Sequence, residues 1–67
     1  MKVKVNSEVL DFPKGENIDG LMHLLYPGEK NGKAVAIANK VIPTSLWNTT
    51  EIKENDNILI ITATQGG

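Results

Sequence analysis

The sequence contains no cysteine and a single histidine, His23, and both shortages restrict its chemistry. Without cysteine the chain has no disulfide framework, no thiolate zinc site and no cysteine nucleophile. One histidine cannot build a multi-histidine metal site. We therefore expect no metal centre and no catalytic residue of these common kinds.

Long apolar runs and an excess of basic charge are also missing. No apolar stretch approaches the ~20 residues that span a bilayer. The N-terminal residues Met-Lys-Val-Lys-Val-Asn contain no signal-peptide core, which predicts a cytoplasmic protein. Seven basic and eight acidic residues give a net charge of −1, so the basic face of a nucleic-acid binder is not expected. The sequence thus predicts neither a membrane nor a nucleic-acid partner.

The chain has 67 residues, which is enough for one small domain. A domain of this size buries only about 60% of its unfolded surface. Little room remains for a concave pocket beside a complete core, so a conventional enzyme is disfavoured.

Alternating residues at the N-terminus predict a β-hairpin. Val3 and Val5 alternate with lysines, which is the period of a half-buried strand. Asn6 and Ser7 offer a two-residue turn into a second strand over residues 8–12. This register sets Val3 opposite Leu10. The face predicted to be buried consists of Val3, Val5, Leu10 and Phe12.

A single amphipathic helix follows. Its apolar face is formed by Ile18, Leu21, Met22 and Leu25. Asn17 is the predicted N-cap, and Pro27 with Gly28 ends the helix near Tyr26.

The rest of the chain reads as strands separated by turns. We predict strands over residues 34–38, 41–42 and 58–64, with Pro43 stopping the second of them. Residues 44–47 suggest a 3₁₀ turn with Thr44 as its cap. In the third strand, either Val35 and Ile37 or the neighbouring alanines can lie under the helix, and the pattern leaves this open.

The order strand, strand, helix, strand, short strand, strand predicts an α+β fold. One helix must cover one face of a mixed sheet of four to five strands. A hairpin followed by a crossover helix matches the β-grasp (ubiquitin-like) arrangement, in which the first and last strands pair in parallel at the sheet centre. We expect a β-grasp domain over residues 1–64 and a flexible C-terminal tail over 65–67.

The tail, Gln65, Gly66 and Gly67, is the most informative segment for function. Glycine has no Cβ, so such a tail can enter a narrow channel. The Gly67 carboxylate is unhindered and ionised at neutral pH, so it can attack an activated phosphate. The alternative is an ordinary chain end with no role.

The last strand is apolar on both faces. Ile58 and Ile60 are predicted to belong to the core. The other face carries Leu59, Ile61 and Ala63, which we interpret as a partner-docking surface beside the tail. The alternative is a central strand whose second face is packed by the segment around Trp47.

Three other features are assigned structural roles. Trp47 is interpreted as a packing residue of the core. His23 lies beside the apolar helix face, without an evident partner, and is interpreted as solvated. Glu54 and Asp56 lie in a predicted turn, because their spacing does not match a twelve-residue calcium loop.

An ordered set of short motifs supports a family resemblance. The set is Ala36-Ile37-Ala38-Asn39, Val41-Ile42-Pro43, Trp47, Asn55-Asp56-Asn57-Ile58 and Gly66-Gly67. Over the whole chain the sequence resembles the ThiS family, the sulfur carriers of thiamin biosynthesis. It departs from the family's usual residues at Thr44, often basic, and at Gly20, often glutamate.

The resemblance implies a carrier rather than an enzyme. A ThiF-like adenylating enzyme would use ATP and magnesium to adenylate Gly67, the chain itself binding no cofactor. A sulfur-donating enzyme would then provide the sulfur of a thiocarboxylate, which a ThiG-like thiazole synthase would consume. Two alternatives stay open. One is a carrier for another pathway, of the molybdopterin-synthase small-subunit type, and the other is an unmodified β-grasp interaction module.

Overall fold

The computed structural model describes residues 1–28 and 32–62, which form a five-stranded mixed sheet with one α-helix packed on one face. The elements are β1 (Lys2–Val5), β2 (Glu8–Asp11), α1 (Ile18–Leu25), β3 (Lys33–Ile37), β4 (Lys40–Ile42), a 3₁₀ turn (Thr44–Leu46) and β5 (Asn57–Thr62). The strand order is β2-β1-β5-β3-β4, with β1 and β5 parallel. The predicted β-grasp arrangement is confirmed. Within the described residues no helix has the length and hydropathy needed to cross a membrane.

The β1–β2 hairpin has the predicted turn and register. Asn6 and Ser7 have φ values of 51° and 71°, the two positive angles of a type I′ turn. Val3 pairs with Leu10, and the Phe12 amide donates to the Met1 carbonyl at 2.8 Å. Because β2 ends at Asp11, the second strand is one residue shorter than predicted.

The third strand differs from its prediction at both ends. It covers Lys33–Ile37 rather than 34–38, because Ala38 and Asn39 form a two-residue turn with φ values of 52° and 67°. The fourth strand accordingly begins at Lys40. Pairing of Val35 with Ile60 decides which face lies under the helix: Val35 is buried in the core.

Helix α1 begins at the predicted cap. The Asn17 side chain accepts a hydrogen bond from the Gly20 amide at 2.8 Å, and the Asn17 carbonyl accepts from Leu21. The Ile18 amide donates to the Thr50 carbonyl and the Asp19 amide to the Trp47 carbonyl. The amides of Ile18, Asp19 and Gly20, which have no partner within the helix, are therefore all satisfied, two of them by carbonyls at and after the end of the 3₁₀ turn.

The core lies between α1 and the inner face of the sheet. Its buried members are Val3, Val5, Phe12, Ile18, Leu21, Met22, Val35, Trp47, Ile52, Ile58 and Ile60. Trp47 packs there as predicted, and its Nε1 donates to the Ile42 carbonyl at 2.9 Å. The predicted cap at Thr44 is wrong. Pro43 is the N-cap, and the turn closes through its carbonyl, which accepts from the Leu46 amide at 2.9 Å.

Candidate docking surface

The last strand, β5, presents one apolar row to the core and another to solvent. Ile58 and Ile60 are 1% and 6% exposed, whereas Leu59 and Ile61 are 48% and 50% exposed. This division follows from the pleat, since successive side chains of a strand point to opposite faces. The predicted assignment of Ile58 and Ile60 to the core is confirmed. The alternative that the Trp47 segment covers the other face is wrong, because Trp47 belongs to the core on the helix side.

The exposed row of β5 lies on the sheet face opposite α1, which we call the outer face. From the strand pairings, its members are Lys2, Lys4, Val9, Asp11, Ala34, Ala36, Val41, Asn57, Leu59 and Ile61. Val41, Val9, Ile61 and Leu59 are among the most exposed large apolar side chains of the described residues.

An apolar strip, formed by Leu59 and Ile61 of β5 with Ala34 and Ala36 of β3, runs along the middle of the outer face. Leu59 lies opposite Ala36, which in turn lies opposite Val41, while Ile61 lies opposite Ala34. Because alanines flank both β5 residues on this side, Leu59 and Ile61 project beyond their neighbours. Such a strip is the kind of surface that a partner can cover.

The strip lies on the strand that leads toward the C-terminal residues. β5 is described as far as Thr62, and the sequence continues for five residues to Gly67. The predicted sites Ala63, Gln65, Gly66 and Gly67 lie outside the described residues, as do the boundary at residue 64 and the end of the last strand. Five extended residues reach about 17 Å, so Gly67 can enter a pocket well beyond a surface that covers Ile61.

Two side chains that sequence reasoning did not single out hold β5 in place. Asn6 Oδ1 accepts a hydrogen bond from the Ile60 amide at 2.8 Å, extending the ladder where β1 has already ended. At the other end of the strand, Lys33 Nζ lies 3.3 Å from Thr62 Oγ1 and 4.5 Å from the centre of the Tyr26 ring. The sequence marks Asn6 only as a turn residue, and no local pattern signals its partner 54 positions away.

The electrostatic features of the described residues are mild. The N-terminal ammonium group, 3.3 Å from Asp11 Oδ1, lowers the pKa of this carboxyl through a hydrogen bond, and Lys2 lowers it further. His23 is exposed on α1, as predicted. Asp56 Oδ2 accepts from the Lys53 amide at 2.8 Å, which fits the predicted turn. Residues 1–28 and 32–62 contain no group of three side chains suited to hold a metal ion.

Comparisons with known proteins agree with this architecture. The model of the ThiS family matches residues 1–67. The crystal structure of the thiamine biosynthesis protein ThiS from Geobacter metallireducens superposes with a TM-score of 0.83, at 20% identity and over 100% of both chains, which shows a shared fold. No curated protein matches the sequence significantly. The chain therefore belongs to the ThiS family, the small sulfur carriers of thiamine biosynthesis, which are not themselves catalysts.

Proposed function

We propose that this protein delivers sulfur to the thiazole ring of thiamin as a thiocarboxylate at Gly67. The observation that carries the proposal is the family match, which extends over the whole chain and includes the Gly66-Gly67 ending. The exposed strip on β5 supports it, because a carrier needs a surface for its enzymes close to the group that they modify.

The chemistry begins at the Gly67 carboxylate, which is ionised at neutral pH. One of its oxygens attacks the α-phosphorus of magnesium-bound ATP in a ThiF-like enzyme, and pyrophosphate leaves. The resulting acyl-adenylate is a mixed anhydride with a good leaving group. A hydrosulfide equivalent from a sulfur-donating enzyme attacks the carbonyl carbon, AMP leaves, and a thiocarboxylate forms. A ThiG-like thiazole synthase then takes the sulfur.

The chain's own part in this sequence is to dock and to present its end. We assign docking to Leu59 and Ile61, the exposed apolar side chains of β5, and to Ala63, which is next in the same alternation of the sequence. Gln65, Gly66 and Gly67 provide the reach, and the two glycines lack the Cβ atoms that would obstruct a narrow channel. ATP and magnesium belong to the adenylating enzyme. Since ATP, the substrate of the adenylating enzyme, is a cytoplasmic metabolite, we assign the carrier to the cytoplasm.

Intact-mass spectrometry tests the modification directly. The carrier is incubated with a ThiF-like enzyme, magnesium-ATP, a sulfur-donating enzyme and cysteine. We expect a mass gain equal to replacing one oxygen by sulfur, located on the C-terminal peptide. A variant lacking Gly67 and a variant with one alanine added after it are the controls. Both should keep the unfolding temperature of the wild type and gain no mass.

The same experiment separates the alternatives. A gain located on an internal peptide, or an equal gain in the variant lacking Gly67, would contradict the proposal. An unmodified β-grasp module would show no gain with any adenylating enzyme. The thiocarboxylate product is then supplied to thiazole synthase and, in parallel, to a molybdopterin-synthase large subunit. Sulfur transfer only to the latter would assign the carrier to the other pathway.

A further inference from the structure

The outer face of the sheet carries more positive than negative charge, although the chain as a whole has a net charge of −1. Its charged residues are Lys2, Lys4 and Asp11. Asp11 is already engaged on this face, with its carboxylate 3.3 Å from the N-terminal ammonium group and 3.7 Å from Lys2 Nζ. Among residues 1–28 and 32–62, Lys4 forms no ion pair. A lysine with no ion-pair partner in the described part of the chain therefore lies on the face that the proposed docking uses.

Lys4 is aligned with the apolar strip. It is the cross-strand neighbour of Asn57 on β5 and of Val9 on β2. Alternate residues of a strand lie on one face at intervals of about 6.8 Å, so Leu59 is one interval beyond the Lys4 row and Ile61 two. Along the described part of the outer face the order is therefore fixed: the row of Lys4 comes first, then Leu59, then Ile61, and the sequence continues from β5 toward Gly67.

We propose that the outer face fits an activating enzyme whose surface carries carboxylates opposite Lys4 and Lys2, beside an apolar depression for Leu59 and Ile61. This inference rests on the proposed function, because it assigns the face to the enzyme that adenylates Gly67. The matching enzyme surface has the same order in space, with its acidic groups farthest from the adenylation site. Lys4 would lie at the solvated edge of this contact, where an acidic group on the enzyme attracts it without full burial of either charge.

A second copy of this chain fits the face less well. A twofold dimer brings the same patch of each copy together, so two surfaces that each carry an excess of positive charge would face each other. Like charges in contact oppose association. Five residues also follow Thr62 in the sequence, and under the proposed function their terminal carboxylate must reach the adenylation site of an enzyme.

Exposed charges of this kind act mainly on the rate of association. They steer diffusional encounter, and their effect falls as salt screens them. The Debye length is about 10 Å at 0.1 M salt and about 3 Å at 1 M. The signature of the lysines should therefore be a salt-dependent change in the association rate constant, with a smaller change in dissociation.

The test measures stopped-flow association of the full-length carrier with a ThiF-like enzyme and magnesium-ATP at low and high salt. Lys4→Glu reverses the charge on the outer face, and Lys4→Gln only removes it. Lys14→Glu is the matched control, because Lys14 lies in the turn after β2, beside Glu51 and Glu54 and away from the outer face. Thermal unfolding of each variant verifies that the domain is intact.

We expect Lys4→Glu to lower the association rate constant roughly tenfold at low salt, Lys4→Gln to lower it less, and Lys14→Glu to leave it nearly unchanged. At 1 M salt the variants should converge on the wild type. Charge reversal of individual carboxylates on the enzyme should then identify one that restores association of Lys4→Glu, giving a coupled pair in a double-mutant cycle.

Three results would overturn the inference. The first is wild-type association by Lys4→Glu at low salt, and the second is a loss that salt does not alter. The third is a carrier dimer in sedimentation experiments that Lys4→Glu strengthens, which would assign the face to a second copy. If the wild type itself is neither bound nor adenylated, the proposed function fails. If the wild type is adenylated but Lys4→Glu associates normally, only the present inference fails.

Discussion

Ile60 and Ile61 are identical, adjacent side chains of β5 that lie on opposite faces of the sheet. Ile60 is 6% exposed and Ile61 is 50% exposed. Replacing each by alanine removes the same atoms and the same preference for β structure, so the difference between the two variants isolates the contribution of burial. This comparison tests the assignment of one face of β5 to the core and the other to docking.

The expected magnitudes differ clearly. Truncating a buried isoleucine to alanine costs about 2–5 kcal/mol, because apolar contacts are lost and a cavity remains. The half-exposed Ile61 should lose less than about 1.5 kcal/mol. A chain of this length has a total stability of roughly 3–10 kcal/mol, so Ile60→Ala removes a large share of it. Ile60→Val, which costs about 0.5–1.5 kcal/mol, is the milder variant if Ile60→Ala does not fold.

Urea unfolding followed by tryptophan fluorescence measures both variants. Trp47 is the single tryptophan and is 2% exposed, so its emission reports on the core. With a slope near 1 kcal/mol per molar urea, each kcal/mol moves the midpoint by about 1 M. Equal midpoints for the two alanine variants, or a lower midpoint for Ile61→Ala, would refute the assignment of the faces.

Three other variants test the exposed strip, the hydrogen bond of Asn6 and the ion pair of Asp11. Ile61→Asp should slow adenylation of the carrier at limiting enzyme with little change in stability. Leu24→Asp, at a similarly exposed position on α1, should leave the adenylation rate unchanged. Equal rates for the two variants would contradict docking by the strip. Asn6→Gly keeps the positive φ of the turn but removes the acceptor for the Ile60 amide, so unfolding should become easier by roughly 1–3 kcal/mol and hydrogen exchange of that amide faster; unchanged exchange would disprove the role of Asn6. The lowered pKa of Asp11 means that its carboxylate stabilises the fold above the ordinary pKa of 3.8 and loses this effect as the pH falls through the lower folded value. The stability difference between wild type and Asp11→Asn should therefore shrink in acid, and a difference that grows in acid would reverse the sign.

The elements that sequence predicted well are those fixed by local rules. The hairpin register follows from a two-residue turn at Asn6 and from the alternation of Val3 and Val5, both of which are visible in a dozen residues. The cap at Asn17 is local in the same way. The two rows of β5 were predictable because a pleated strand has a strict period of two, so placing Ile60 in the core necessarily exposes Ile61.

The features that sequence could not provide depend on distant parts of the chain. The face of β3 was undecided, because small and branched residues alternate there, and only pairing with Ile60 places Val35 inside. Ile52, fully buried, was not singled out because it lies in an irregular segment without a periodic pattern. Its amide donates to the Glu16 carbonyl at 2.9 Å, a contact across 36 positions.

Because the core and the proposed docking surface use alternate residues of β5, the register of the strand is decisive for both. A slip of one residue would turn Leu59 and Ile61 toward the core and Ile58 and Ile60 toward solvent. The parallel pairing with β1 is short, so the hydrogen bond from the Ile60 amide to Asn6 adds a contact at the point where slippage would begin. Once the register is held, side chains of the outer face can be exchanged at little cost to the core. Exposed positions such as Lys4 and Ile61 can then be substituted without loss of the fold, which is why variants at these positions can test docking separately from stability.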